Sequence, residues 1–141
     1  MPAQGHVLII DDEPRICGLL VRILSRDFDV VAVDDGFDAL ALIEHGARFD
    51  VVVCDIHMRR ISGPSFRDLS QRLAPEQAQR IVFLTGNSDS IECDRVRDHE
   101  ILTKPFNPRA LVDLVSRVAT ASRDGYFPSA RPDRERRRSV P

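Results

Sequence analysis

Apolar positions along this chain fall into two alternating patterns. Segments 6–10, 28–33, 50–54, 80–84 and 100–103 are short and mostly aliphatic or β-branched, with no strict inside/outside alternation, which predicts strands covered on both faces. Between the first two, Ile16, Leu19, Leu20, Ile23 and Leu24 recur at the spacing of one helix face, with Pro14 suited to the first turn. A second helix is predicted over 37–45, stopping at Gly46, and a third over 64–73, carrying Phe66, Leu69 and Leu73. Asn107 and Pro108 read as N-cap and first residue of a last helix with Leu111, Leu114, Val115, Val118 and Ala119 along one stripe. The stretch 88–99 is the exception: only Ile91, Cys93 and Val96 are apolar, and Asp94 and Arg95 interrupt the face, so its helix should be short, shifted or poorly ordered.

Strands joined through single helices require right-handed crossovers and give a parallel sheet. The expected fold is a doubly wound α/β sandwich of five parallel strands, helices on both faces, with flavodoxin-like order 2-1-3-4-5. Ligands of such sheets sit beyond the carboxyl ends of the strands, here between the first and third. The residues at those ends are Asp11 and Asp12, then Asp55, Thr85 and Lys104. Clustered carboxylates repel unless a cation or protons offset them. Oxygen donors without His or Cys favour a hard ion, and few carboxylates with open positions favour magnesium and a phosphoryl oxygen.

Composition narrows the picture. The 141 residues suffice for one domain, expected over 1–122, and Lys104 is the only lysine among 20 basic residues. Residues 128–141 hold five arginines against Asp133 and Glu135, or +3, which leaves −5 of the formal −2 on residues 1–127. A basic tail over 123–141, without apolar periodicity, is expected to be disordered, and no helix-turn-helix pattern follows residue 121, so direct nucleic-acid binding is not expected. Apolar runs are strand-length and the first residues lack a signal-peptide layout, which predicts a cytoplasmic protein without a membrane segment. Cys17, Cys54 and Cys93 have no metal or disulfide spacing and read as small apolar fillers; His6, His45 and His99 show no ligand spacing.

Ile10-Asp11-Asp12-Glu13-Pro14, Asp55-Ile56-His57-Met58 with Gly63, Thr85-Gly86, and Lys104-Pro105-Phe106 follow one another in order over roughly residues 5–121, and together resemble the receiver domain of two-component response regulators. The resemblance implies that Asp55 accepts a phosphoryl group from a histidine kinase or histidine phosphotransfer protein. It implies magnesium held by Asp12, Asp55 and the backbone carbonyl of His57, with Asp11 acting through water. Thr85 and Lys104 would contact phosphoryl oxygens, the Lys104-Pro105 bond would be cis, and output would pass to an effector, an attached domain or a homodimer. Two positions depart from the pattern: Arg59 stands where Pro is usual, which bears on partner recognition, and Ile101 where an aromatic switch residue is common. His57 is placed to tune phosphoaspartate hydrolysis, or to be a solvent-facing loop residue. Two other classes stay open on the residues alone: a binding module that signals without phosphate, and an Asp-nucleophile hydrolase, which the adjacent Asp11-Asp12 pair fits poorly.

Overall fold

In the computed structural model, which describes residues 3–123, the chain runs β1 (His6–Ile10), α1 (Pro14–Leu24), β2 (Asp29–Val33), α2 (Gly36–Glu44), β3 (Val51–Asp55), α3 (Gly63–Leu73), α4 (Pro75–Ala78), β4 (Ile81–Thr85), α5 (Ile91–Asp94), β5 (Glu100–Thr103) and α6 (Pro108–Arg123). The five strands are parallel in the order β2-β1-β3-β4-β5. Apart from Arg123, the tail expected over 123–141 lies outside the described residues. Among the described residues no helix is long and apolar enough to cross a membrane.

The absence of alternation in the central strands has a direct cause. Leu8 and Ile10, Val52 and Cys54, and Ile81 and Phe83 face one layer with α2, α3 and α5, while Val7 and Ile9, Val51 and Val53, and Val82 and Leu84 face the other with α1 and α6. Each side of β1, β3 and β4 is therefore core, and no position on them is free to be polar until the strand ends. Edge strand β2 lacks this double cover, and Val31 is 44% exposed.

Several boundaries and stripes differ from the sequence expectation by one step. Asp55 and Thr85 are the last residues of β3 and β4, still within the ladder, where the pattern had put them just beyond it. Phe28 is not part of β2, because its amide bonds back to the Leu24 carbonyl at the end of α1. On α1, Leu20 and Leu24 are fully buried, whereas Leu19 is 39% exposed at the rim of the stripe. On α3 the buried row is Phe66, Ser70 and then Ala74, an i, i+4 ridge, and Leu73 points away from the core.

Helix α4 is too short to show a period in sequence. It is fixed instead by Gln77, whose buried side chain accepts from the Phe49 amide at 2.9 Å and donates to the Phe49 carbonyl at 3.0 Å. The segment between β4 and β5 holds the short helix expected there: α5 has four residues, with Ser90 as N-cap accepting from the Cys93 amide. Cys93 and Val96 are its buried anchors and Ile91 is 82% exposed. Ion pairs supply the rest: Arg67 to Asp98 and Arg95 to Asp68 join the segment to α3, while Arg95 to Glu92 and Arg97 to Asp94 brace it internally.

The start of α3 packs against the end of β3 with no space to spare. A Cβ on Gly63 would lie 2.7 Å from the Asp55 carbonyl oxygen and 3.0 Å from the Ile56 Cα, both backbone atoms that cannot step aside. Gly63→Ala is therefore expected to destabilise by about 1–3 kcal/mol, as overpacking does, and to disturb the Asp55 carboxylate with it. Equilibrium urea unfolding checks this, and an unchanged midpoint would show that the two segments separate freely.

Candidate functional site

The carboxyl ends of β1, β3, β4 and the residue after β5 meet at one rim of the sheet. β1 delivers Asp11 and Asp12, and its pairing with β3, which sets Ile10 opposite Cys54, brings Asp55 alongside them. Carboxylate oxygens of Asp11, Asp12 and Asp55 lie within 4.8 Å of one another. β5 pairs Thr103 with Thr85, so Lys104 emerges next to Thr85, and the Lys104 amide donates to the Thr85 carbonyl at 2.7 Å. The Lys104-Pro105 peptide is cis, as the resemblance implied. The Lys104 ammonium reaches into the acidic cluster, with Nζ 3.4 Å from Asp55 Oδ1 and 3.5 Å from Asp11 Oδ2.

The electrostatics follow from burial. Asp55 is 6% exposed, and loss of solvent pushes its carboxyl up to about 6, with the Asp11 charge adding to the rise and Lys104 and the His57 amide opposing it. Burial raises the Asp11 carboxyl too, against the Glu13 amide and Lys104. Asp11 Oδ1 accepts from that Glu13 amide at 2.9 Å, while its buried Oδ2 has no hydrogen-bond partner and lies 3.5 Å from the ammonium. Lys104 thus stands against the two buried acids while Asp12 pairs with the exposed Arg59 guanidinium, and the fold holds the three carboxylates together at a cost that a further cation would offset.

Each residue singled out in the sequence has a definite place. Thr85 is fully buried, and its hydroxyl oxygen accepts from the Asn87 amide at 3.0 Å. His57 is exposed in the loop after β3, and its ring Nε2 pairs with Ser90 Oγ at 3.2 Å. That contact ties the Asp55 loop to the cap of α5, and the sequence pattern did not single out Ser90. Ile101 is half-buried and packs on the core layer that holds Phe66 and Phe83. Arg59, read as a recognition residue, touches the cluster itself: its amide donates to Asp12 Oδ2 at 2.9 Å and its Nε lies 3.6 Å from the same oxygen. Cys54 is buried beneath Asp55, its thiol raised well above the usual range chiefly by burial, and Cys93 is likewise buried, as fillers should be. Cys17 is half-buried on α1.

Known proteins resemble this chain in sequence and fold. The sequence profile of the family described as Response regulator receiver domain matches residues 7–116. The chain is 33% identical over 117 residues to the hydrogenase transcriptional regulatory protein HoxA of Bradyrhizobium diazoefficiens, a match covering 82% of this chain and 24% of that protein. It spans about half or less of the length of the other curated relatives it matches, among them the transcriptional regulatory protein TcrA of Mycobacterium tuberculosis. Among solved structures, the chemotaxis response regulator CheY4 of Vibrio cholerae superposes with a TM-score of 0.70 at 30% identity, over 81% of this chain and 98% of that one. The receiver domain of the Pseudomonas aeruginosa sensor histidine kinase PA1611, solved with magnesium in its active-site cleft, shares the fold at a TM-score of 0.73 and 23% identity, over 82% of this chain and 98% of that one. With the strand order, the strand-end acids and the profile match in agreement, this chain belongs to the response regulator receiver domain family.

Proposed function

We propose that Asp55 is the phosphoacceptor of this receiver and that its phosphorylation alters a protein-interaction surface. The observation that supports this most directly is the Asp55 carboxylate, poised 3.4 Å from the Lys104 ammonium and clustered with Asp11 and Asp12 at the strand ends. An ionised carboxylate oxygen attacks phosphorus without a general base: the O–P bond forms as the P–N bond of a phosphohistidine breaks, and the imidazole leaves with the electron pair. The donor would be a histidine kinase or a histidine phosphotransfer protein.

The donor set fits a magnesium ion. Three carboxylates without a nitrogen or sulfur ligand, one with a buried oxygen lacking a hydrogen bond, suit a hard cation better than a transition metal. Asp12, Asp55 and the His57 carbonyl would hold it, with Asp11 acting through water; the Pseudomonas aeruginosa receiver, solved with magnesium in its active-site cleft, supports magnesium as the ion. When bound, the ion offsets negative charge on the transferring oxygens. Lys104 contacts a second phosphoryl oxygen as a compact point charge. Thr85 turns its hydroxyl from the Asn87 amide toward the phosphoryl group, drawing in the loop that leads to α5.

The chain acts on itself, by taking the phosphoryl group and releasing it to water. Its output goes to a separate effector, an attached domain or a second copy, since the transcriptional regulators it resembles are longer than this chain.

Intact mass after incubation with magnesium and a small phosphodonor tests the assignment. One phosphoryl adduct is expected in the wild type and none in Asp55→Asn. No adduct in either would favour a module that binds without phosphate, and sustained phosphate release from added phosphoesters would favour a hydrolase.

A further inference from the structure

The loop from β3 to α3 is held at both sides of Arg59, but the Arg59 side chain is not packed. On the far side, Arg60 pairs with the Asp35 carboxylate and lies 5.2 Å over the Phe37 ring, and Ile61 is buried against Gly36, where a Cβ would come within 2.6 Å of its side chain. On the near side, His57 pairs with Ser90. The clamps set the Arg59 amide on Asp12 Oδ2 at 2.9 Å, and the guanidinium follows to 3.6 Å from the same oxygen while its side chain stays 84% exposed. Nothing but charge holds that guanidinium in place. Asp12 is also the acid least enclosed by the fold, half-buried where Asp11 and Asp55 are buried, and so the one an incoming cation meets first.

We infer that Arg59 is a resident counter-cation on Asp12, which a divalent ion must displace, so that this side chain sets the threshold for metal loading of the site. The inference rests on the metal reading of the cluster given above. An exposed pair of this kind is weak, and removing it should tighten metal binding only a few-fold. Its position counts for more than its strength, because the carboxylate it faces belongs to one of the three acids that would hold the ion. Arg60 cannot take over the role, since Asp35 and Phe37 already engage it.

Calorimetric titration of the phosphate-free protein with magnesium chloride tests this without reference to phosphorylation. Arg59→Gln is expected to lower the magnesium Kd about two- to five-fold, and Arg59→Lys to stay near wild type. Arg59→Glu, which adds an acid in the same place, should lower it further than the glutamine. The gap between wild type and Arg59→Gln should narrow as sodium chloride is raised. Arg97→Gln, which removes an equal charge from the Asp94 pair on α5, should leave the Kd unchanged. If wild type binds magnesium, Asp12→Asn abolishes binding, and Arg59→Gln binds no tighter than wild type, the counter-cation role is wrong while the metal site stands. An equal effect from Arg97→Gln would also overturn it, by showing net charge rather than contact. If no form binds magnesium, the metal reading itself fails and this inference goes with it.

Discussion

Metal-free Asp55→Asn protein is expected to be more stable than wild type at pH 7, by about 1–3 kcal/mol. The folded site holds the Asp55 carboxyl at about 6 against an ordinary 3.8, so the fold disfavours the ionised form by about 3 kcal/mol, and the neutral amide escapes most of that cost. The sign fixes the pH window. Between roughly pH 4 and pH 6 the native state binds the proton more tightly than the unfolded chain, so wild-type stability falls as pH rises through that interval and stays low above it. Below about pH 4 both states are protonated and the advantage of the variant should vanish. Asp11, raised in the same direction by burial, adds to the slope in both proteins. Magnesium should reverse the ranking, stabilising wild type by mass action and Asp55→Asn little. Urea unfolding in chelator and in magnesium, at pH 4 and pH 7, measures all of this. A variant less stable than wild type at pH 7 in chelator would mean that Asp55 is content where it is.

Lys104→Met should move stability the other way. Its ammonium faces Asp55 at 3.4 Å and Asp11 at 3.5 Å, and without it two buried acids repel with only the Glu13 and His57 amides to offset their charge. Breaking a fully buried pair costs about 3–5 kcal/mol, and because the Lys104 side chain is 21% exposed about 1–3 kcal/mol is expected at pH 7. The loss should shrink toward pH 4, where the acids take up protons instead. Lys104→Arg should keep most of this stability, since charge is conserved, yet weaken the response to phosphorylation, because a planar fork cannot replace a point contact. Hydrogen exchange over residues 86–99, before and after phosphorylation, reads that response. Wild-type stability in Lys104→Met at pH 7 would show that these ion pairs contribute nothing.

The two variants divide the site into an acid whose charge the fold resists and a base that makes the charge tolerable. Such a pocket is under tension without a ligand, which is the condition for a phosphoryl group or a cation to shift it. The short helix α5 lies close to the site through Ser90 and His57, and is held to α3 by two buried side chains, Cys93 and Val96, and by ion pairs at the surface. Surface ion pairs are individually weak, so two buried side chains carry most of what fixes this segment.

The periodicity of the sequence determined the architecture, because strands covered on both faces cannot alternate and amphipathic helices must. The same pattern placed Asp11, Asp12, Asp55, Thr85 and Lys104 at strand ends, where polarity is first permitted, and parallel topology puts those ends on one rim. Contacts between loops were beyond its reach. Gln77 clipping α4 to Phe49, Ser90 meeting His57, and Arg59 lying on Asp12 join residues 28, 33 and 47 positions apart, with no period to announce them. The same holds for the 88–99 stretch, where sequence registered the loss of an apolar face but not the ion pairs to Arg67 and Asp68 that stand in for it. Local pattern reports which face of an element must be buried, whereas the pairing of exposed polar groups is decided only when the packed core has set the distances between them.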